Sequence, residues 1–238
     1  MKKLFFLCFI FFLFISCSGR ISGSLAADGS ASVSVNISLE PRMTSLLRAV
    51  TAASGQAGGP VLDGPAIAQS MSGAPGITRV SLRNISQSSV EGAFQISQIS
   101  EFLSVAGAER GVSRRGFFTF EQRNSGGRCV ININRDSASE ILEILSSEIS
   151  DYLNALIAPI ATGEEMKKQE YLELVASFYG KAISEEIANS RIRVSIDFPG
   201  NITTVTGGTF SAKRADFDIS LLDLLVLEIP ARYEITWE

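Results

Sequence analysis

Two stretches of strict alternation bracket the middle of this chain. In "SASVSVNISLE", residues 30–40, Ala31, Val33, Val35, Ile37 and Leu39 point one way, and Ser32, Ser34, Asn36, Ser38 and Glu40 point the other. In "RIRVSIDF", Ile192, Val194, Ile196 and Phe198 alternate with Arg193, Ser195 and Asp197. A period of two fits a pleated strand with one dry face and one wet face. Between them the spacing of apolar residues changes to three and four, as in Ile141, Leu145, Ile149, Tyr152 and Leu156. That is the stripe of an amphipathic helix. Strands, then helices, then strands specify an α+β domain.

The helical part reads as a hairpin over about residues 137–189. Ser137-Ala138-Ser139-Glu140 and Thr162-Gly163-Glu164-Glu165 have the form of capping boxes, and Pro159 ends the first helix near Ala158. Tyr171, Leu174, Val175, Phe178, Ala182 and Ile183 give the second helix its apolar stripe, with Glu164 and Lys168 as an i,i+4 pair. The short connection makes the two helices antiparallel neighbours. The expected architecture is an antiparallel sheet with this hairpin packed on one face. Further strands are expected in "ITRVSLRNIS", "SVEGAFQIS", "NITTVTGGTF", "AKRADFDIS" and "ARYEITW", and "RRGFFTFEQR" and "GRCVININR" flank the turn signal "NSGG". Short helices are expected at Pro65–Ser72, with Asp63 near its start, and at "ISEFLSVAG", ended by Gly107.

Composition removes several classes of function. There is no histidine among 238 residues, so the commonest general base and metal ligand is missing. Three cysteines, Cys8, Cys17 and Cys129, cannot build a disulfide framework. No HExxH, CxxC, GxSxG, SxxK or P-loop pattern occurs. The net charge is −4, and it falls to −6 without the first 16 residues, which hold two lysines and no acid. Phosphate neutralisation needs clustered Lys and Arg, so nucleic acid is not an expected partner. The expectation is a protein that is not an enzyme and uses no cofactor or metal.

The N-terminus has the grammar of an export signal. Lys2 and Lys3 precede an apolar run from Leu4 to Ile15, which ends at Ser16-Cys17-Ser18-Gly19. About 20 residues are needed to span a bilayer core as a helix, and this run is shorter. Phe14-Ile15-Ser16-Cys17 resembles the bacterial lipobox, in which the Cys thiol receives a diacylglyceryl group and signal peptidase II cuts before it. Phe14 stands where that motif usually carries Leu. The expected organisation is a lipoprotein signal peptide (1–16), a lipidated tether (17–29) beginning at Cys17, and one α+β envelope domain (30–238).

Within the domain, the aromatic residues carry the only hint of a ligand. Phe118 and Phe120 share one face of a strand, with Phe117 on the other. They either pack a core or line a lipid-sized cavity between the sheet and the helix pair. Phe118, Phe120 and Phe178 are therefore the candidate apolar ligand-binding residues. Cys129 is expected to be a buried packing thiol beside Ile131. The acidic pairs Glu164/Glu165 and Asp216/Asp218 are expected to be a helix start and a solvated strand face.

The segments "DFPGNITTVTGG" and "DFDISLLDLLVLEIPARYEITW", together with the lipobox and residues 30–40, resemble the LppM-like bacterial lipoprotein domain. The resemblance covers about residues 190–238 of the C-terminal part. It implies an envelope α+β domain with an apolar cavity for lipids or glycolipids, and no catalytic residues. Two functions follow as expectations. One is a membrane-anchored lipoprotein that binds lipid or another apolar envelope molecule. The other is a structural or assembly protein acting through contacts with envelope proteins. In either case the domain is tied to the inner or outer membrane and faces the periplasm or the exterior. If Cys17 carries the anchor, radiolabelled palmitate enters the protein in cells, and Cys17→Ser abolishes the label.

Overall fold

The computed structural model describes residues 18–53, 59–72, 76–99, 117–123, 126–142, 156 and 158–238. The signal segment with Cys8 and Cys17, the helix expected after Ile99, and the first long helix beyond Leu142 lie outside the described residues, apart from Leu156 and Ala158.

The chain enters as strand β1 (Ser18–Leu25) and turns back through β2 (Ala31–Ser38). Helices α1 (Pro41–Ala53) and α2 (Gly64–Ser72) follow, then the hairpin β3 (Ile77–Ser86) and β4 (Ser89–Ile96). A second hairpin, β5 (Phe118–Arg123) and β6 (Gly126–Ile133), leads into helix α3 (Arg135–Leu142). Helices α4 (Pro159–Thr162), α5 (Lys168–Tyr179) and α6 (Lys181–Asn189) come next. The chain ends with β7 (Arg191–Asp197), β8 (Ile202–Thr206), β9 (Thr209–Ser211), β10 (Arg214–Ser220), helix α7 (Leu221–Val226) and β11 (Ala231–Trp237). The class is α+β, and the strand pairs are antiparallel except for one.

Among the described residues the strands form two sheets where the sequence suggested one. The larger runs β3-β4-β2-β1-β7-β10-β9, the smaller β5-β6-β11-β8. The parallel pair joins β1 to β7 at the centre of the larger sheet, with Ile21 opposite Val194. Residues 18–25 are therefore not a tether. "SGRISGSL" continues the alternation of β2 in small residues: Ile21, Gly23 and Leu25 share one face, Arg20, Ser22 and Ser24 the other. Its Gly and Ser content hides the strand signal.

The helix starts also differ from the sequence reading. At α3 the reciprocal cap lies three residues earlier. The Ser137 N–H donates to Asn134 Oδ1 at 2.9 Å, and the Asn134 N–H donates to Ser137 Oγ at 3.0 Å. Asn is as good an N-cap as Ser, and it sits directly after β6. Gly163, at φ 74°, closes α4 instead of opening a helix. The next helix starts at Lys168, where the Lys167 N–H donates to Glu170 Oε2 at 3.0 Å. Lys168 pairs with Asp223 of α7 at 2.8 Å, and Glu165 with Arg135 at 3.0 Å. Gly180, at φ 91°, breaks the expected second helix into α5 and α6.

Two cores result. Met43, Leu47, Tyr171, Val175, Ile187, Leu222, Leu225 and Val226 bring α1, α5, α6 and α7 together. The buried Tyr171 hydroxyl donates to the Leu156 carbonyl at 3.1 Å. This helical core contains no strand residue and gathers at one end of the larger sheet, where β2 and β10 end and β7 begins. The second core fills the space between the sheets, so among the described residues it is the smaller sheet, not the helix pair, that covers this face.

The two sheets are joined along one side. The Ile202 N–H donates to the Ala212 carbonyl at 2.8 Å, and Asn201 and Glu238 exchange backbone bonds at 2.7 and 2.9 Å. Trp237, 2% exposed, lies in this corner against Phe198 at a ring separation of 4.9 Å and Phe120 at 6.1 Å. A Cβ on Gly127 would stand 2.2 Å from the indole and 2.7 Å from the Glu121 carbonyl, so only glycine lets β6 approach that ring. Trp237→Ala should lower the unfolding free energy by about 3–5 kcal/mol. Gly127→Ala should also destabilise, because the added methyl meets the packed Trp237 indole on one side and the Glu121 backbone carbonyl on the other. Chemical denaturation followed by far-ultraviolet circular dichroism measures both, and wild-type midpoints would refute the packing role.

Candidate ligand cavity

The inward rows of both sheets determine what lies between them. On β1 the row is Ile21, Gly23 and Leu25, flanked by Ala31 and Val33 of β2 and by Val194 and Ile196 of β7. Facing it are Phe118 and Phe120 of β5, Cys129 and Ile131 of β6, and Tyr233 and Ile235 of β11. Stacked sheets stand about 10 Å apart, a gap that two layers of large side chains fill. Here Gly23, Ala31 and Cys129 occupy wall positions with little volume. The missing side-chain volume is a cavity of about 230 Å³.

The lining is apolar throughout. Tyr233 and Cys129 are the residues with a polar side-chain atom on this face, Ser24 and Ser32 bordering it from strand positions that point the other way, and among the described residues no charged side chain lines it. Phe217 meets Tyr233 edge to face, with ring centroids 5.6 Å apart and planes at 88°. Burial pushes the Cys129 thiol up to about 12, and burial followed by the Asp223 charge pushes Tyr233 upward. A thiol held neutral in an apolar wall is a poor nucleophile. An apolar space of this kind can exclude water and hold a hydrocarbon.

The structure separates the sequence candidates. Phe118 and Phe120 line the cavity. Phe178 does not. It is 64% exposed at the end of α5, with its ring 6.3 Å from Tyr179. The stripe that α5 buries runs through Tyr171, Leu172, Val175 and Tyr179, one position round from the expected one, so Phe178 falls on its wet edge. The wall contributed by β1 was not anticipated. Its signal was the spacing of Ile21, Gly23 and Leu25. Cys129 and Ile131 face inward together, and Cys17 lies outside the described residues.

The acidic pairs do not converge on a site. Asp216 accepts a hydrogen bond from Ser195 Oγ at 2.6 Å, on the sheet face opposite the cavity, and Asp218 is exposed. Among the described residues no group of three or more Cys, Asp or Glu side chains is placed to hold a metal ion.

No protein-family model matches the chain, and no curated protein matches it. Among solved structures, the folded domain of LppM from Mycobacterium tuberculosis, determined by NMR, is similar to it. The TM-score is 0.44 at 10% sequence identity, over 95% of this chain and 94% of that one.

The raised thiol pKa has a consequence for stability. Below about pH 9 the thiol is protonated in both folded and unfolded chains, and its contribution does not change. Between about 9 and 12 the unfolded thiol ionises while the folded one stays neutral, so stability falls as pH rises. The buried Tyr171, also pushed upward by burial, adds to the fall at the alkaline end. Denaturation midpoints measured from pH 8 to 11 should drop, and Cys129→Ala should flatten the part that begins near pH 9. An unchanged profile in the variant would refute thiol burial as its cause.

Proposed function

We propose that this chain is a membrane-anchored bacterial lipoprotein whose domain holds an apolar ligand without transforming it. The observation that carries the reading is the cavity between the sheets. Fully packed interiors leave few voids larger than a water molecule. A dry space of about 230 Å³ walled by Phe, Ile, Val and Leu is a place for an apolar guest. The uncharged side chains of its walls among the described residues match the hydrocarbon part of a lipid, and the buried neutral thiol matches a site that performs no chemistry.

Anchoring comes from the N-terminus. Cys17, at the end of the apolar run and after Ser16, would carry a diacylglyceryl group. Two or more acyl chains hold a protein at a membrane durably, since each buried methylene adds about 0.8 kcal/mol. Among the described residues no helix is long and apolar enough to cross a membrane, so in this reading the lipid is the attachment. The domain then stands at the bacterial envelope, facing the periplasm or the exterior, and takes an envelope lipid as its ligand.

Organic extraction of the purified full chain, followed by mass spectrometry, tests this reading. About one equivalent of a non-covalent apolar molecule should be released from the native protein. Ala31→Phe, which builds a ring into the cavity, should release far less. Equal yields from both proteins would sink the reading.

A further inference from the structure

We infer that the cavity accommodates about nine carbons of a hydrocarbon chain, and that Gly23 sets this capacity, a deepening that rests on the ligand-binding reading above. Size is the first support. An apolar cavity of about 150 Å³ holds one benzene, six carbons, so about 230 Å³ corresponds to about nine. Chemistry is the second. Among the described residues no charged side chain lines the walls, so the polar end of the ligand stays outside.

Gly23 lies in the cavity wall, between Val33 of β2 and Ile196 of β7. A Cβ there would meet the Ser32 carbonyl oxygen at 3.4 Å and Val33 Cγ2 at 3.9 Å, which is ordinary contact. A larger side chain at this position therefore projects into the cavity without moving the backbone. β-branched residues also suit a strand better than glycine, so such variants keep the fold. Each carbon added at Gly23 takes the place of about one carbon of the guest.

Trp237, the only tryptophan, packs on Phe120 and Phe198 of the cavity wall and reports what enters. The test is quenching of its fluorescence by alkanoates brominated at the chain end, from about six to sixteen carbons. The full chain is held in digitonin, a steroid glycoside far larger than a cavity of about 230 Å³. A second arm uses lysophosphatidylcholines with the same brominated chains. Affinity should rise about fourfold per methylene up to about nine carbons and then stay flat. Gly23→Val should move the break to about six carbons and Gly23→Ala to about eight, at the same positions in both arms. The arm that binds more tightly identifies a free acid or a membrane lipid as the source of the chain. A rise continuing unbroken to sixteen carbons, or a break that Gly23→Val leaves in place, would overturn the gauge. No quenching at any length in either arm would instead overturn ligand binding itself.

Discussion

The parallel ladder between Ser18–Ser24 and Arg191–Asp197 is the constraint on which the architecture depends. Remove it and the seven-stranded sheet divides into an N-terminal set, β3-β4-β2-β1, and a C-terminal set, β7-β10-β9. The cavity would lose its continuous wall, because its inward residues come from both sides of that seam. Helices α5 and α6 lead the chain directly into β7, and the Leu221 N–H bonds to the Ser190 carbonyl at 3.1 Å. The helical core therefore fixes the position of β7 and, with it, the pairing of β1. Sheet and helices form one mechanical unit even though their buried residues form two clusters.

The parts legible in the sequence were those whose periodicity is carried by large side chains. Strands β2 and β7 were readable because Val and Ile alternate with Ser and Arg. The β5–β6 hairpin was readable from its turn. Strand β1 was not, because at Gly19 and Gly23 the alternation is written in glycine. The short apolar helix α7, "LLDLLV", has no polar face to reveal a period. Its start is fixed by the Asp223 N–H donating to Ser220 Oγ at 3.3 Å, a weak signal in a single sequence. One glycine was enough to divide the second helix, since Gly180 adopts a backbone conformation that other residues avoid.

The candidate site was half legible for a related reason. Phe118 and Phe120 belong to a local hairpin, and a local pattern gave their shared face. That their face meets β1 and β7 is a statement about contact between sheets whose strands lie roughly 70 to 100 residues apart in the chain, and the register of Cys129 with Ile235 is likewise a long-range pairing. No local signal encodes it. The cavity was less visible still, because what makes it is volume that is missing. Gly23, Ala31 and Cys129 read in sequence as ordinary small residues; opposite one another across two sheets they leave room for a guest. Interior space of this kind costs packing energy, and the aromatic corner around Trp237 supplies contacts nearby that help offset it.

The early start of β1 also limits how far the domain can stand from whatever holds residue 17. Consecutive Cα atoms are about 3.8 Å apart, so residue 17 stands one residue from the middle strand of the sheet. Under the anchoring proposed above there is no leash. The domain would sit on its membrane with the helical end down, because Ser18 lies opposite Ser38 and Arg191 at the end where the helices gather. The β1–β2 turn would point away from the bilayer. A guest arriving from the membrane would then have to travel along the sheet to reach the cavity.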